Sequence, residues 1–301
     1  MRTRENDTGR LDIFIRIVTS IPGSGRSALA VWLMLVWVID LPAQSGEGPE
    51  GLWAGVPAKG LKLTVREGST CRVLGTAEAK TLETVVKAID TTLPKVRKIL
   101  QASESDKLWS GPLSVHVCKE RSEFRQLYHK LHRRQPLNEE TATYAHIGPA
   151  THLLAGPLAG GPAKLPADVE LVQQLGSATL TRLRGANQAL ESWFIEGFGR
   201  AVAYRYAPRS FTAERQRAAV LLAQGKKLGD LYSDQLSGAD ARILASSLSD
   251  FLAHSPFMAK QWPNFYASFG GGINIWDALK AWDIKAEAFE KAWAMWAQNP
   301  R

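Results

Sequence analysis

The chain has 301 residues, 45% of them hydrophobic and 22% charged, enough apolar material for one sizeable core and too much for a disordered chain. Its net charge is +8, yet no dense basic run with interleaved aromatics occurs, and Arg133-Arg134 and Lys226-Lys227 are only pairs. Nucleic-acid binding needs a clustered basic face, so the composition argues against it and leaves a general attraction to acidic polymers.

Ala28 to Ile39 is an uninterrupted apolar run, preceded by Arg26 and closed by Asp40 and Pro42. A bilayer span needs about 20 such residues, so this shorter run fits the core of a signal peptide. Ala43 and Ser45 supply small residues at the −3 and −1 positions of a cut before Gly46. Residues 1–45 are therefore read as an export signal with an overlong polar lead, either cleaved or kept as an anchor. The expected location is the periplasm, the cell envelope or the medium, with membrane contact only through an uncleaved leader. No cysteine directly follows the run, which argues against a lipoprotein anchor.

Residues 46–60 read as a Gly/Pro-rich linker, and 61–298 as the folded domain. A first strand is expected at Leu61–Val65, then a helix over Thr81–Leu100. There Leu82, Val85, Val86, Ile89, Leu93, Val96 and Leu100 recur at three- and four-residue steps, with Pro94 expected to split or kink the helix. Gly111-Pro112 turns the chain into a strand at Leu113–Cys118, and Arg121–His132 reads as a short helix. The opening is thus β-α-β-α. Cys71 and Cys118 lie beside these strands. Were the strands neighbours, an oxidising compartment would allow a bridge worth about 4 kcal/mol, and the other reading is two separate buried thiols.

The segment 138–166 is rich in Gly, Pro and Ala and leaves room for one strand, Thr151–Ala155. Beyond it the pattern is helical. One helix starts near Asp168 and is ended by Gly185, a second spans Ser192–Tyr206, and later ones hold Leu221-Leu222, Ile243–Leu252, Trp276–Leu279 and Phe289–Trp296. Gly270-Gly271-Gly272 reads as a flexible turn. His129, His132, His146 and His152 read as surface residues, with His152 the one to watch and a structural role favoured for it. Trp262, Trp276, Trp282, Trp293 and Trp296 crowd the tail, where helical spacing favours burial over sugar stacking. No Gly-x-Ser-x-Gly elbow and no phosphate-cradling Gly-rich loop with Lys appears, and Gly23-Ser24-Gly25 falls in the leader.

Trp193-Phe194-Ile195-Glu196-Gly197 resembles the Trp-x-x-Glu-Gly motif of the peptidase-MA-like gluzincin domain. The helix Leu171–Leu180 is similar, in spacing and apolar pattern, to the His-Glu-x-x-His helix of that family. The resemblance covers about Leu61 to Trp296. It implies an α+β, zincin-like fold, with a small N-terminal mixed sheet and its helices followed by a mostly helical C-terminal half. In a working member two histidines one turn apart bind zinc, and the glutamate between them activates water. Here Gln173 and Ser177 hold the histidine positions and Gln174 that of the base. An amide is a poor zinc ligand and no proton acceptor near neutral pH, so zinc is expected to be lost, leaving no cofactor.

The resemblance therefore implies an exported, catalytically inactive relative, a pseudopeptidase, that binds or scaffolds a peptide or protein in the former cleft. The vestigial binding residues are Glu196, Trp193, Arg200 and His152. Glu196 is expected to pair with Arg200 and to form a hydrogen-bonded cluster with Gln173 and Ser177. Thr151–Ala155 is expected to be an edge strand that accepts an extended chain. The alternatives are a hydrolase with altered or residual metal chemistry, using Glu196 and His152, or an envelope polysaccharide-binding protein.

Overall fold

The computed structural model describes residues 49–56, 62–103, 106–109, 111–161, 164–184, 190–232, 236–268 and 274–299. The apolar run 28–39, the expected cleavage site, Gly185 and the glycine run 270–272 lie outside them. Among the described residues no helix is long and apolar enough to cross a membrane.

The chain opens with β1 (Thr64–Glu67) and β2 (Cys71–Gly75), followed by α1 (Ala79–Ile99), β3 (Leu113–Val117), α2 (Arg121–His132), β4 (Ala142–Ile147) and β5 (Ala150–Ala155). The sheet order is β1-β2-β3-β5-β4. β2, β3 and β5 run parallel, while β1 and β4 are the antiparallel outer strands. Interior parallel strands are covered on both faces, and β3 is buried along its whole length although Ser114 and His116 alternate with its apolar residues. On one face Val73, Val115 and Leu153 pack with Leu82, Val85 and Ile89 of α1 and Leu171 and Leu175 of α3 (Ala167–Arg184). On the other, Leu74 and Leu154 pack with Phe124, Leu127 and Tyr128 of α2.

The helical half continues with α4 (Ser192–Tyr206), α5 (Thr212–Ala223), α6 (Gly238–His254), α7 (Trp262–Ser268), α8 (Ile275–Ala281) and α9 (Ala286–Gln298). Phe194, Phe198, Leu248, Phe251, Phe289 and Trp293 lie in its core. Of the tail tryptophans Trp262 and Trp293 are buried, and Trp276 stands out as exposed.

Several expectations change. The opening is β-β-α-β-α, because Glu67 to Cys71 turns the chain back on itself. The Asp90 carboxylate on α1 orders that turn by accepting from Ser69 N (2.8 Å), Thr70 N (2.9 Å) and Thr70 Oγ1 (2.6 Å). α1 runs unbroken through Pro94. The expected linker contains a 3-10 turn, Pro49–Trp53, whose Trp53 is buried against the sheet. Two strands, β4 and β5, occupy the segment expected to hold one. Thr151–Ala155 is not an edge: β5 is paired on both sides, and β4 is the outer strand.

Cys71 and Cys118 are free and buried. The strands are neighbours, but Cys71 pairs in register with Leu113, at the other end of β3 from Cys118. The thiols also lie in clusters on opposite faces of the sheet.

Candidate functional site

α3 and α4 cross at backbone contact. A Cβ on Gly176 would lie 2.9 Å from Gly199 Cα, and one on Gly199 would lie 2.2 Å from Ser177 Oγ and 2.5 Å from Gln173 O. On its other side α4 meets α6 equally closely: a Cβ on Gly197 would lie 2.6 Å from Ser249 Oγ and 2.7 Å from Ala245 O. The glycine after Glu196 is thus required by packing. It fixes α4 between α3 and α6 and so fixes where Glu196 stands.

Polar groups fill this crossing. Ser177, 4% exposed, donates from Oγ to Ile195 O (2.9 Å). Arg200 Nη1 donates to Gln173 Oε1 (3.1 Å), while its Nε and Nη2 bind the Glu214 carboxylate, with Nε at 2.8 Å. Tyr204 OH donates to the same carboxylate (3.1 Å). The expected cluster of Gln173, Ser177 and Glu196 is therefore not formed, and the ion-pair partner of Arg200 is Glu214. The α5 carboxylate meets the guanidinium with two oxygens, a geometry that a single helical step from Glu196 does not provide.

Glu196 is half-buried and has no hydrogen bond among the described residues. Burial pushes its carboxyl above the ordinary range, and the charges of Arg242 and Arg200 pull it partly back. It lies near Tyr144 of β4, whose phenol burial pushes up to about 12. Gln174 is half-buried and likewise has no hydrogen bond among the described residues. Trp193, at the start of α4, gives its indole N–H to Glu191 and meets Tyr232 edge-on.

β4 leans on α3 through His146. Thr181 Oγ1 donates to Ser177 O (3.0 Å), so His146 Nε2 donates to Thr181 Oγ1 (3.0 Å) and its Nδ1 accepts from Thr151 Oγ1 (2.9 Å). Burial, with Arg182 nearby, pushes this imidazole down to about 4, so it is neutral at pH 7. Arg182 ties the neighbouring chain, donating to Gly148 O and Leu108 O.

His152 stands on the opposite face of the sheet, away from α3. Trp53 Nε1 can only donate, so His116 Nδ1 accepts from it (3.1 Å), and His116 Nε2 donates to His152 Nδ1 (3.1 Å). The two rings stack with centroids 5.4 Å apart. Burial holds His116 well below its ordinary value and pushes His152 down to about 4. His152 thus belongs to the packing that seats the 3-10 turn, and not to a cleft. The expectation of surface histidines holds for exposed His129 alone. His132, hydrogen-bonded to Thr143, is also pushed down to about 4 by burial.

One residue escaped the sequence reading. Glu170, one turn before Gln173 on α3, accepts at Oε1 from Thr141 Oγ1 (2.6 Å), and its buried Oε2 has no partner among the described residues. Burial pushes it up to about 7, against the opposing pull of Thr141 and Arg200. Its three-residue step to Gln173 was the available signal.

These residues do not fit a zinc ion. Gln173 Oε1 is occupied by a guanidinium, whose charge opposes a divalent cation, and the Ser177 hydroxyl is spent on Ile195. Among the described residues no three of His, Cys, Asp and Glu gather as a metal-ligating group. No family model matches the chain, and a search of curated proteins finds no match.

Proposed function

We propose that this protein is an exported, metal-free relative of zinc peptidases, a pseudopeptidase, that binds or scaffolds an extended peptide or protein segment along β4 beside the α3–α4 crossing. The observation that carries this reading is the gathering of Gln173, Ser177 and the Ile195-Glu196 step at one helix crossing next to an antiparallel outer strand. Helix-to-helix hydrogen bonds stand there in place of metal ligands. On this reading the zincin-like fold keeps its cleft and has lost its chemistry. The alternative metal site of Glu196 with His152 has no support in the geometry, because His152 is bonded to His116 on the far face.

β4 offers the means of binding. In an antiparallel ladder, backbone groups point alternately toward and away from the partner strand. Gly156 N donates to Thr141 O, which sets the phase and turns the backbone groups of Ala142, Tyr144 and His146 away from β5. An added strand would bond there. The test is binding of an unstructured peptide library to the full chain and to Ala142→Pro, which removes an outward N–H and leaves the ladder bonds to β5. Binding without turnover, weakened at least about tenfold by the proline, supports the reading; the figure corresponds to roughly one hydrogen bond with its local fit. Chelator-sensitive hydrolysis, or binding indifferent to the proline, overturns it.

A further inference from the structure

A groove of about 700 Å3 opens away from the helix crossing, between the C-terminal half of α1, the β1–β2 turn and the described chain leading from α1 to β3. That volume falls within the range of about 300–1,000 Å3 typical of small-molecule sites. Its apolar surfaces are Leu93, Pro94, Leu108 and Trp109.

The walls are held by contacts that use up their own polar groups. Arg97 Nη2 donates to Ser103 O and Asp106 O, and the Asp106 carboxylate accepts from Ser103 N (2.6 Å). Asp90 occupies the amides of Ser69 and Thr70 and the Thr70 hydroxyl. Arg182 Nε fastens the loop through Leu108 O (2.7 Å), and Leu108 itself is buried in the core. What remains is mostly cationic, since Arg97, Lys98 and Lys107 outnumber the one lining carboxylate, Asp106. The ammonium groups of Lys98 and Lys107 and the indole N–H of Trp109 have no ion pair or hydrogen bond among the described residues. All three can only donate, and two are cationic. Asp106, the lining carboxylate, accepts from Ser103 N at Oδ2.

An opening with apolar walls, an aromatic face and mostly cationic polar groups selects an anion attached to a ring that can lie against an indole. We infer that this groove binds a small ring-containing acid, its ring against Trp109 and Pro94 and its carboxylate or phosphate between Lys98 and Lys107. The shared chemistry admits an aromatic acid or a sugar acid. The site contains no residue of α3, α4 or β4, so it stands or falls independently of peptide binding.

Saturation-transfer NMR on the full chain tests it with benzoate and galacturonate, each beside its neutral counterpart, benzyl alcohol and galactose. Saturable transfer at millimolar concentration to at least one acid is expected, with little to its neutral counterpart, and the acid that binds identifies the source. Charge reversal in Lys98→Glu/Lys107→Glu should abolish it. Both lysines are exposed, and Lys98→Gln/Lys107→Gln gives the same reading if reversal lowers the melting temperature. Trp109→Leu, which keeps the charges, should weaken binding about tenfold, the scale of one ring-stacking contact. Absence of binding by both acids, equal binding of the neutral compounds, or undiminished binding by the lysine variants overturns the proposal, and Ala142→Pro should leave this binding unchanged.

Discussion

Glu170 keeps a buried oxygen that has no partner among the described residues, and this makes the protein's stability depend on a proton. Its carboxyl is raised from 4.5 to about 7, so the folded state favours the neutral acid. Its contribution is therefore complete below the unfolded value and is lost as pH rises from about 4.5 to about 7. Glu170→Gln should stabilise the fold at pH 8 by on the order of 2 kcal/mol and do little at pH 4.5. Urea melts at the two pH values check this, and an equal effect at both would sink it. The sequence drew attention to Glu196 through its motif, but not to Glu170, whose three-residue step to Gln173 places the two on one helix face and says nothing of the burial that raises its carboxyl. It misjudged His152 for a related reason. The role of that imidazole is set by Trp53 and His116, and such distant pairings are invisible in spacing.

At the level of elements, the α3–α4 pair depends on having no side chain at position 199. Gly199→Ala should cost about 1–3 kcal/mol, as over-packing does. Ser177→Ala alone should cost about 1 kcal/mol for its hydrogen bond to Ile195 O. Combined, the two should cost less than their sum, since removing Oγ relieves the 2.2 Å approach while the one to Gln173 O at 2.5 Å remains. Strict additivity in thermal melts would refute that contact. The helices were the readable part: α4 spans the expected Ser192–Tyr206, and α1 and α2 follow their apolar faces. β2 and β4 were not, since five or six residues carry too little alternation to stand out, and β4 mixes Thr, Tyr and His in a Gly/Pro-rich stretch. Seven-residue α7 was lost for the same reason.

For the molecule as a whole, the histidines decide its response to acid. His132, His146, His152 and His254 are pushed down to about 4 and His116 well below its ordinary value, all chiefly by burial. A depressed imidazole leaves stability intact above its unfolded value of 6.5 and erodes it as pH falls toward the folded value. Glu170 and Glu196 act in the opposite direction over an overlapping range, but they are two against five. Net stability should therefore fall between pH 6.5 and 4, measured as a dropping melting temperature by circular dichroism. His132→Gln, at one of the half-buried members, should blunt the fall, and a flat profile across that window would contradict the burial of these rings.

The glycine crossing also bears on history. Two helices resting backbone on backbone have no slack, so a larger group at 177 must displace α4 and, through Gly197, α6 as well. Histidine substituted at Gln173 and Ser177, with glutamate at Gln174, would supply ligands without the room to converge on an ion. If a metal once sat there, the contact that closed behind it works as a ratchet: the side chains are three substitutions from return, while the helix spacing is not.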